Sequence, residues 1–225
     1  MTTSTGVKDI QGARFWDGIA EKYAAAPIRD PRSYEIWLAR VAEHIGPDAH
    51  VLELGCGTGS TALKLSPLVK TYLATDFAAN MIEIANSKLT QDSPENLRFL
   101  QADPFDPRIA PPRNGPEDGY DAILGFNFLH LVEDMEAVAR QAFDMLKPGG
   151  LFITKTVCLK RSRWLFGPLI AALRAFGKAP KLHFISETDV EKMLDTAGFT
   201  LLETQTFGKK VRGHFVVARK PKTPL

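Results

Sequence analysis

One short stretch limits what this chain can fold into: Val51-Leu52-Glu53-Leu54-Gly55-Cys56-Gly57-Thr58-Gly59. An apolar run carrying one acid ends in three glycines at alternate positions, and a helical pattern starts at once. Glycine lacks Cβ, so the turn can bend sharply and let backbone approach a ligand. A strand, a glycine turn and a helix N-terminus together make the nucleotide-cradling unit of an α/β sheet. The dinucleotide fingerprint G-x-G-x-x-G asks for glycine or alanine at position 60. Ser60 stands there, the third glycine comes one place early at Gly59, and Glu53 is no part of that fingerprint. A nicotinamide-dependent oxidoreductase is therefore the weaker reading of the turn.

Further strands come in an order that tests the unit. His50 to Leu54 is the first strand and Thr58 to Leu65 the helix behind it. A second apolar run, Thr71 to Asp76, ends in an acid 21 residues after Gly55. An α/β nucleotide site places there a carboxylate that accepts hydrogen bonds from ribose hydroxyls. The plain alternative for Asp76 is a helix cap. Phe77, Asn80 and Met81 open the next helix, whose apolar face is Met81, Ile82, Ile84 and Ala85. Phe77 and Met81 are candidates to pack on an adenine and equally candidates for core. Leu97 to Asp103 is the third strand, and the proline-rich stretch 104–119 is a loop. Tyr120 to His130 holds the fourth strand and the residues just beyond its end. Glu133 to Leu146 is helical, Lys147-Pro148-Gly149-Gly150 turns, and Leu151 to Val157 is the fifth strand.

Taken in register over about residues 48 to 158, these motifs resemble the class I S-adenosylmethionine (SAM) dependent methyltransferases, in particular the bacterial group related to ubiquinone and menaquinone methyltransferases. The resemblance rests on E-x-G-x-G-x-G from Glu53 to Gly59, on Asp76 and Asp103 at strand ends, on the fourth strand and on the K-P-G-G turn. It implies a doubly wound α/β fold with a seven-stranded, mostly parallel sheet in the order 3-2-1-4-5-7-6. An antiparallel C-terminal hairpin and an N-terminal helical cap complete it. Residues 1–47 would form the cap over the pocket, and 48–225 the core with a capping insertion at about 160–185. The resemblance implies SAM as methyl donor, with Glu53, Gly55, Gly57 and Gly59 on its aminoacyl end. Asp76 would take the ribose, Asp103 the adenine amino group, and Asn127 a place near the sulfur. An aromatic residue of the N-terminal segment often covers the pocket in this family; Trp16 and Tyr23 are the candidates, against simple packing on the sheet. His130 is a candidate general base, against a structural histidine.

The flanks are less constrained. Residues 14 to 25 place Phe15, Trp16, Ile19, Ala20 and Tyr23 on one helical face, and a second helix from about Arg32 to Ile45 points Ile36, Trp37, Val41 and Ile45 inward. After the fifth strand the chain departs from the family. Lys160, Arg161 and Arg163 precede an apolar run, Trp164 to Phe176, with Pro168 expected in the first turn of a helix and Gly177 at its stop. This insertion reads as a cover on the pocket mouth, or as a peripheral membrane contact through 160–178. Ser186 and Asp189 form a capping box for the last long helix. Phe199 to Phe207 and His214 to Arg219 are two strands joined by a basic turn, Gly208 to Gly213.

Charge is unevenly spread. From Lys147 onward there are 15 Lys/Arg and 5 Asp/Glu, against 13 and 21 before it. That is scattered surface, or a basic rim suited to an anionic substrate or membrane. The 225 residues fit one α/β domain. No apolar run approaches the roughly 18 residues of a membrane span, and the N-terminus has no signal-peptide core. Two cysteines are too few for a disulfide framework, so a cytoplasmic location is the simplest expectation. The five histidines lack metal-ligand spacing, and no metal is expected. Phe126-Asn127-Phe128-Leu129 is not the N-P-P-Y or D-P-P-Y signature of amino-methylation, which disfavours nucleic acid as partner or substrate. The expected reaction is methyl transfer to a small-molecule acceptor, a thiol, a phenol or quinone-like compound, or an amine, with release of S-adenosylhomocysteine (SAH). A phospholipid N-methyltransferase and a non-catalytic SAM-binding protein are the alternatives.

Overall fold

The sheet runs β3-β2-β1-β4-β5-β7-β6, the order expected. Its strands are β1 (His50–Leu54), β2 (Thr71–Asp76), β3 (Leu97–Gln101), β4 (Tyr120–Phe126), β5 (Leu146–Val157), β6 (Thr200–Phe207) and β7 (Gly213–Arg219). The first five are parallel, and β7 pairs antiparallel with both β5 and β6. The helices are α1 (Ile10–Ala25), α2 (Pro31–His44), α3 (Ser60–Leu65), α4 (Ala79–Ser87), α5 (Met135–Met145), α6 (Arg163–Ala175) and α7 (Glu187–Thr196). The structure, a computed structural model, describes residues 10–111, 118–176, 178–180, 182–208 and 212–222.

Both faces of the central strands are buried, so their sequences are continuous apolar runs rather than alternating ones. Successive side chains still go to opposite faces. Val51, Leu124, Ile153 and Val217 pack with Trp37, Val41, Leu65 and Ile82 of α2, α3 and α4. Leu52, Ile123, Phe152 and Val216 pack with Val138, Ala142, Val190 and Leu194 of α5 and α7. Helix α1 lies on α4: Ala20 meets Ala78 and Met81 with Trp16 beside them, and Asn80 donates from its backbone N–H to Asp17 Oδ1 at 2.8 Å.

Local chemistry starts the helices. Asp30 accepts from the Ser33 N–H before Pro31, Asp134 accepts from Ala137, and Ser186 and Asp189 make the expected reciprocal capping box. Four expectations are corrected. The buried stripe of α2 is Tyr34, Trp37, Leu38 and Val41; Ile36 lies off that stripe and is 47 % exposed. Helix α3 begins at Ser60, not Thr58, because Gly59 occupies the N-cap in the left-handed region. Strand β5 begins at Leu146: residues 147–150 bulge between the pairs Tyr120–Leu146 and Ala122–Leu151 instead of preceding the strand. Helix α6 starts at Arg163, directly after a 3₁₀ turn at Lys160–Ser162, so Pro168 falls inside it rather than in its first turn. The expected stop at Gly177 and the middle of the β6–β7 turn lie outside the described residues. No helix among those described is long and apolar enough to cross a membrane.

Candidate functional site

The parallel strands end on one edge of the sheet, where open α/β folds bind ligands. Beyond β1 the chain turns through Gly55, Gly57 and Gly59, all left-handed, with φ of +70°, +54° and +75°. A Cβ on Gly59 would stand 2.5 Å from Phe99 Cζ, so this turn needs glycine for space as well as conformation. Gly57 differs: its nearest neighbour is the Tyr23 ring at 3.6 Å. It is the point where the loop leaves room above its backbone. The Cys56 N–H donates to the Thr75 carbonyl at 2.8 Å and ties the turn to β2.

Two carboxylates stand behind the turn. Asp76 is buried; its Oδ2 accepts from the Gly57 N–H at 2.9 Å and its Oδ1 from the Ala78 N–H at 3.0 Å. Burial raises its pKa, and those backbone bonds pull the other way. Glu53 is also buried, and Tyr72 donates its hydroxyl to Oε2 at 2.8 Å. Burial, less the Tyr72 bond and reinforced by the Asp76 charge, pushes its pKa up to about 7. Tyr23 closes this end from α1, edge-on to Trp16 with ring centroids 5.9 Å apart. Half of its surface stays open, yet its hydroxyl end is crowded: burial, then Asp76 and Glu53, raise its pKa.

Tyr23, Glu53, Gly55, Gly57, Gly59 and Asp76 thus come together. Asp103 lies two residues past β3, with its carboxylate accepting from the Phe105 N–H at 2.7 Å. The neighbouring Ala102 N–H donates to the Asp76 carbonyl at 3.0 Å, which holds this loop against the end of β2. Phe77 is partly buried, and its carbonyl accepts from Gln101 Nε2 at 3.3 Å. Met81 is enclosed between α1 and α4 with Ala20 and Ala78, in the packing position that was its plain alternative.

A second group gathers at the ends of β4 and β5. Asn127 has φ +54°, the single positive value outside glycine among the described residues. Its N–H donates to the Lys155 carbonyl at 2.6 Å, and its Oδ1 accepts from Lys155 Nζ at 3.1 Å. That ammonium sits 5.7 Å from the Trp37 ring centroid. Burial lowers its pKa. His130 is buried, its carbonyl accepts from the His183 N–H at 2.8 Å, and its Nδ1 has no partner among the described residues. Burial first, then Lys155 and His183, bring its pKa down to about 4. It is neutral at pH 7. Lys155 and Tyr72 were missed in the sequence. A lysine inside an apolar strand was the available signal for the first; nothing in one sequence links Tyr72 to Glu53. The described residues contain no cluster of three His, Cys, Asp or Glu able to hold a metal.

A methyl donor of the SAM type brings positive charge and hydroxyl donors, and the residues present fit it. Each Asp76 oxygen keeps acceptor capacity after its backbone bond, Glu53 adds a second acid, and Gly57 leaves the approach open. Residues 28–204 match the methyltransferase domain family. The demethylmenaquinone methyltransferase of Lactococcus lactis subsp. lactis (strain IL1403) is 26% identical over 227 residues, covering 86% of this chain and 84% of that protein. Equisetin synthetase eqxS of Fusarium heterosporum is 31% identical over 126 residues, 52% of this chain but only 3% of that protein's length. The N-methyltransferase NodS of Bradyrhizobium japonicum WM9, solved in complex with SAH, superposes with a TM-score of 0.63 at 20% identity, over 92% of this chain and 98% of that one. The oxidoreductase alternative falls with these matches. With its strand order, its glycine turn and its family match in agreement, the chain belongs to the class I SAM-dependent methyltransferases.

Proposed function

We propose that the chain methylates a small lipophilic acceptor of the phenol or quinone type, at the sheet edge between the two groups of residues. The observation that carries this reading is their juxtaposition: Glu53 and Asp76 stand at the ends of β1 and β2, while Asn127 follows β4 and Lys155 lies on β5 level with the last residue of β4, on the same edge. The likeness to a demethylmenaquinone methyltransferase supports the acceptor class.

The donor supplies a methyl group already activated on a sulfonium. The chain's residues fix geometry and exclude water, and positioning reactants at about 3 to 3.5 Å contributes several kcal/mol to such a reaction. In this reading Glu53 and the backbone of Gly55, Gly57 and Gly59 hold the aminoacyl end, Asp76 the ribose and Asp103 the adenine amino group. Tyr23 covers the donor, Phe77 lies at the adenine edge with Met81 behind it, and Asn127 stands beside the sulfur. His130 is the candidate general base of this reading; it is neutral at pH 7, and its burial beside Lys155 makes it a weak one. Residues 1–47 act as the cap and 160–185 as the cover of a cytoplasmic enzyme.

The test is a turnover screen that detects SAH, offered hydroquinones, phenols, thiols, amines and phosphatidylethanolamine vesicles. Fastest turnover with a hydroquinone or phenol supports the reading. A signal with the vesicles alone would transfer it to phospholipid N-methylation.

One observation favours a membrane contact beside this chemistry. Helix α6 leaves Trp164 80 % and Phe176, just beyond its end, 77 % exposed, with Pro168, Ala171 and Ala172 open on the Trp164 side. Arg163 and Arg174 are exposed alongside, and no aspartate or glutamate occurs from Lys147 to Ile185. Aromatic side chains flanked by arginine suit an anionic lipid surface, from which a lipophilic acceptor would come.

A further inference from the structure

Lys155 is the cation of the β4–β5 group, and among the described residues no carboxylate hydrogen-bonds to it. Among the described residues it makes no ion pair; its partners are Asn127 Oδ1 and the face of Trp37. Asp30, the acid that acts on it from the start of α2, is exposed and makes no hydrogen bond to it; one of its oxygens accepts from the Ser33 N–H and the other from the Ser33 hydroxyl. An ammonium carries three donors, and one is used here. A partly buried cation without a counter-charge is costly unless something anionic joins it.

The chain spends strain to hold this arrangement. Asn127 adopts a left-handed backbone that non-glycine residues rarely take, and so brings both its N–H and its Oδ1 onto Lys155. Next to it, His130 keeps Nδ1 unpartnered although the residue is buried. The charged and titratable groups around the ammonium are then Asp30, the N-cap of α2, and His130 after β4, with His183 from the segment before α7 acting on His130. Neither histidine offers a negative charge.

We propose that Asn127, His130 and Lys155 form the acceptor subsite and that it binds an acidic hydroxyl, a phenol or enol, as its oxyanion. This rests on the methyltransferase reading and narrows it. An amine acceptor gains nothing from a fixed ammonium beside it. For an oxyanion the electrons balance without a base. A lone pair of the acceptor oxygen forms the bond to the methyl carbon, the carbon–sulfur bond breaks, and its pair stays on sulfur as a neutral thioether. The sulfonium and oxyanion charges cancel. An acceptor that arrives protonated loses its proton to water as the ammonium of Lys155 lowers its pKa, and His130 stays neutral beside it.

The test uses the full chain and 4-nitrophenol, whose ionised form absorbs visible light, so the bound protonation state is read directly. It needs no turnover, which separates its failure from that of the methyltransferase reading. Lys155→Met retains the length of the side chain without the charge, and Lys155→Arg keeps the charge. The expected result is that wild type, with or without SAM, binds the yellow phenolate and lowers the apparent pKa of the bound phenol. Lys155→Met should weaken this binding at least about tenfold, Lys155→Arg should restore most of it, and SAM affinity should be unchanged in both. An equal affinity of wild type and Lys155→Met, binding of the neutral phenol, or no binding to wild type would overturn the assignment. If Lys155→Met does not fold, the wild-type spectrum and the Lys155→Arg variant decide it by the same criteria.

Discussion

The two ends of the site solve opposite problems. On the β1–β2 side two acids are buried and each is held by donors: Asp76 by the Gly57 and Ala78 N–H groups, Glu53 by the Tyr72 hydroxyl. On the β4–β5 side a cation and a neutral imidazole stand with few partners. The first side is finished before any ligand arrives, and its donors come mainly from backbone. The second is left incomplete, and its groups come from side chains. Donor binding can be uniform across a family when backbone does it, whereas acceptor choice changes with single side chains.

The sharpest way to break this comparison is inside the glycine turn. Gly59→Ala should cost about 3 kcal/mol, since a Cβ there meets Phe99 in a left-handed conformation. Gly57→Ala should cost only about 1–2 kcal/mol of stability, since a Cβ there meets the Tyr23 ring at an ordinary contact distance, but weaken SAM binding at least about tenfold. Urea unfolding and SAM titration on both variants measure the two effects. Equal destabilisation would mean that the turn is a scaffold throughout.

Asp76→Ala comes next. It should raise the KM for SAM about 10- to 100-fold and leave that for the acceptor nearly unchanged. Parallel increases in both would remove the ribose role.

Glu53→Gln gives a pH-dependent effect. The folded protein holds the Glu53 proton up to about pH 7, well above the ordinary 4.5. The contribution of the protonated group is full below the ordinary value and is lost as pH rises through about 7. The glutamine variant, always neutral, should therefore match wild type near pH 4 and exceed it by up to about 3 kcal/mol at pH 8. It should also bind SAM more weakly. Urea midpoints at the two pH values and a SAM titration read both; a variant less stable than wild type at pH 8 would show that the fold favours the ionised form of Glu53 and does not raise its pKa.

The smallest stability effect belongs to the outer helix. Trp164→Ala with Phe176→Ala should change folding stability by no more than about 0.5 kcal/mol, because both side chains are open. The same pair should reduce co-sedimentation with anionic vesicles several-fold. Unaltered co-sedimentation would remove α6 as a membrane contact.

The same contrast explains what could be read in the sequence. Glu53, the three glycines and Asp76 lie at spacings that one strand–turn–helix–strand unit dictates, so their gathering was legible. Strand order and the Ser186 capping box were legible too. Lys155 was not, because its role depends on the β4–β5 register that sets it opposite Phe126, and on the reversed backbone of Asn127. Ile36 and Pro168 misled for a different reason. Each obeys a local preference that tertiary placement overrode: one residue off the buried stripe, and a helix that starts five residues before its proline.

The strand order has one more consequence. The excess of acid belongs to residues before Lys147, which supply β3, β2, β1 and β4; the excess of base belongs to the residues that supply almost all of β5, and β7 and β6. In the sheet these are adjacent blocks, so the seam between acidic and basic sequence lies between two neighbouring strands. The helices do not keep to this division: α2, from the first block, reaches across to β6, where Arg40 and His44 meet Glu203. In the reaction proposed above, methyl transfer would erase the sulfonium and oxyanion charges together, so neither product would keep the charge by which it was held as a reactant.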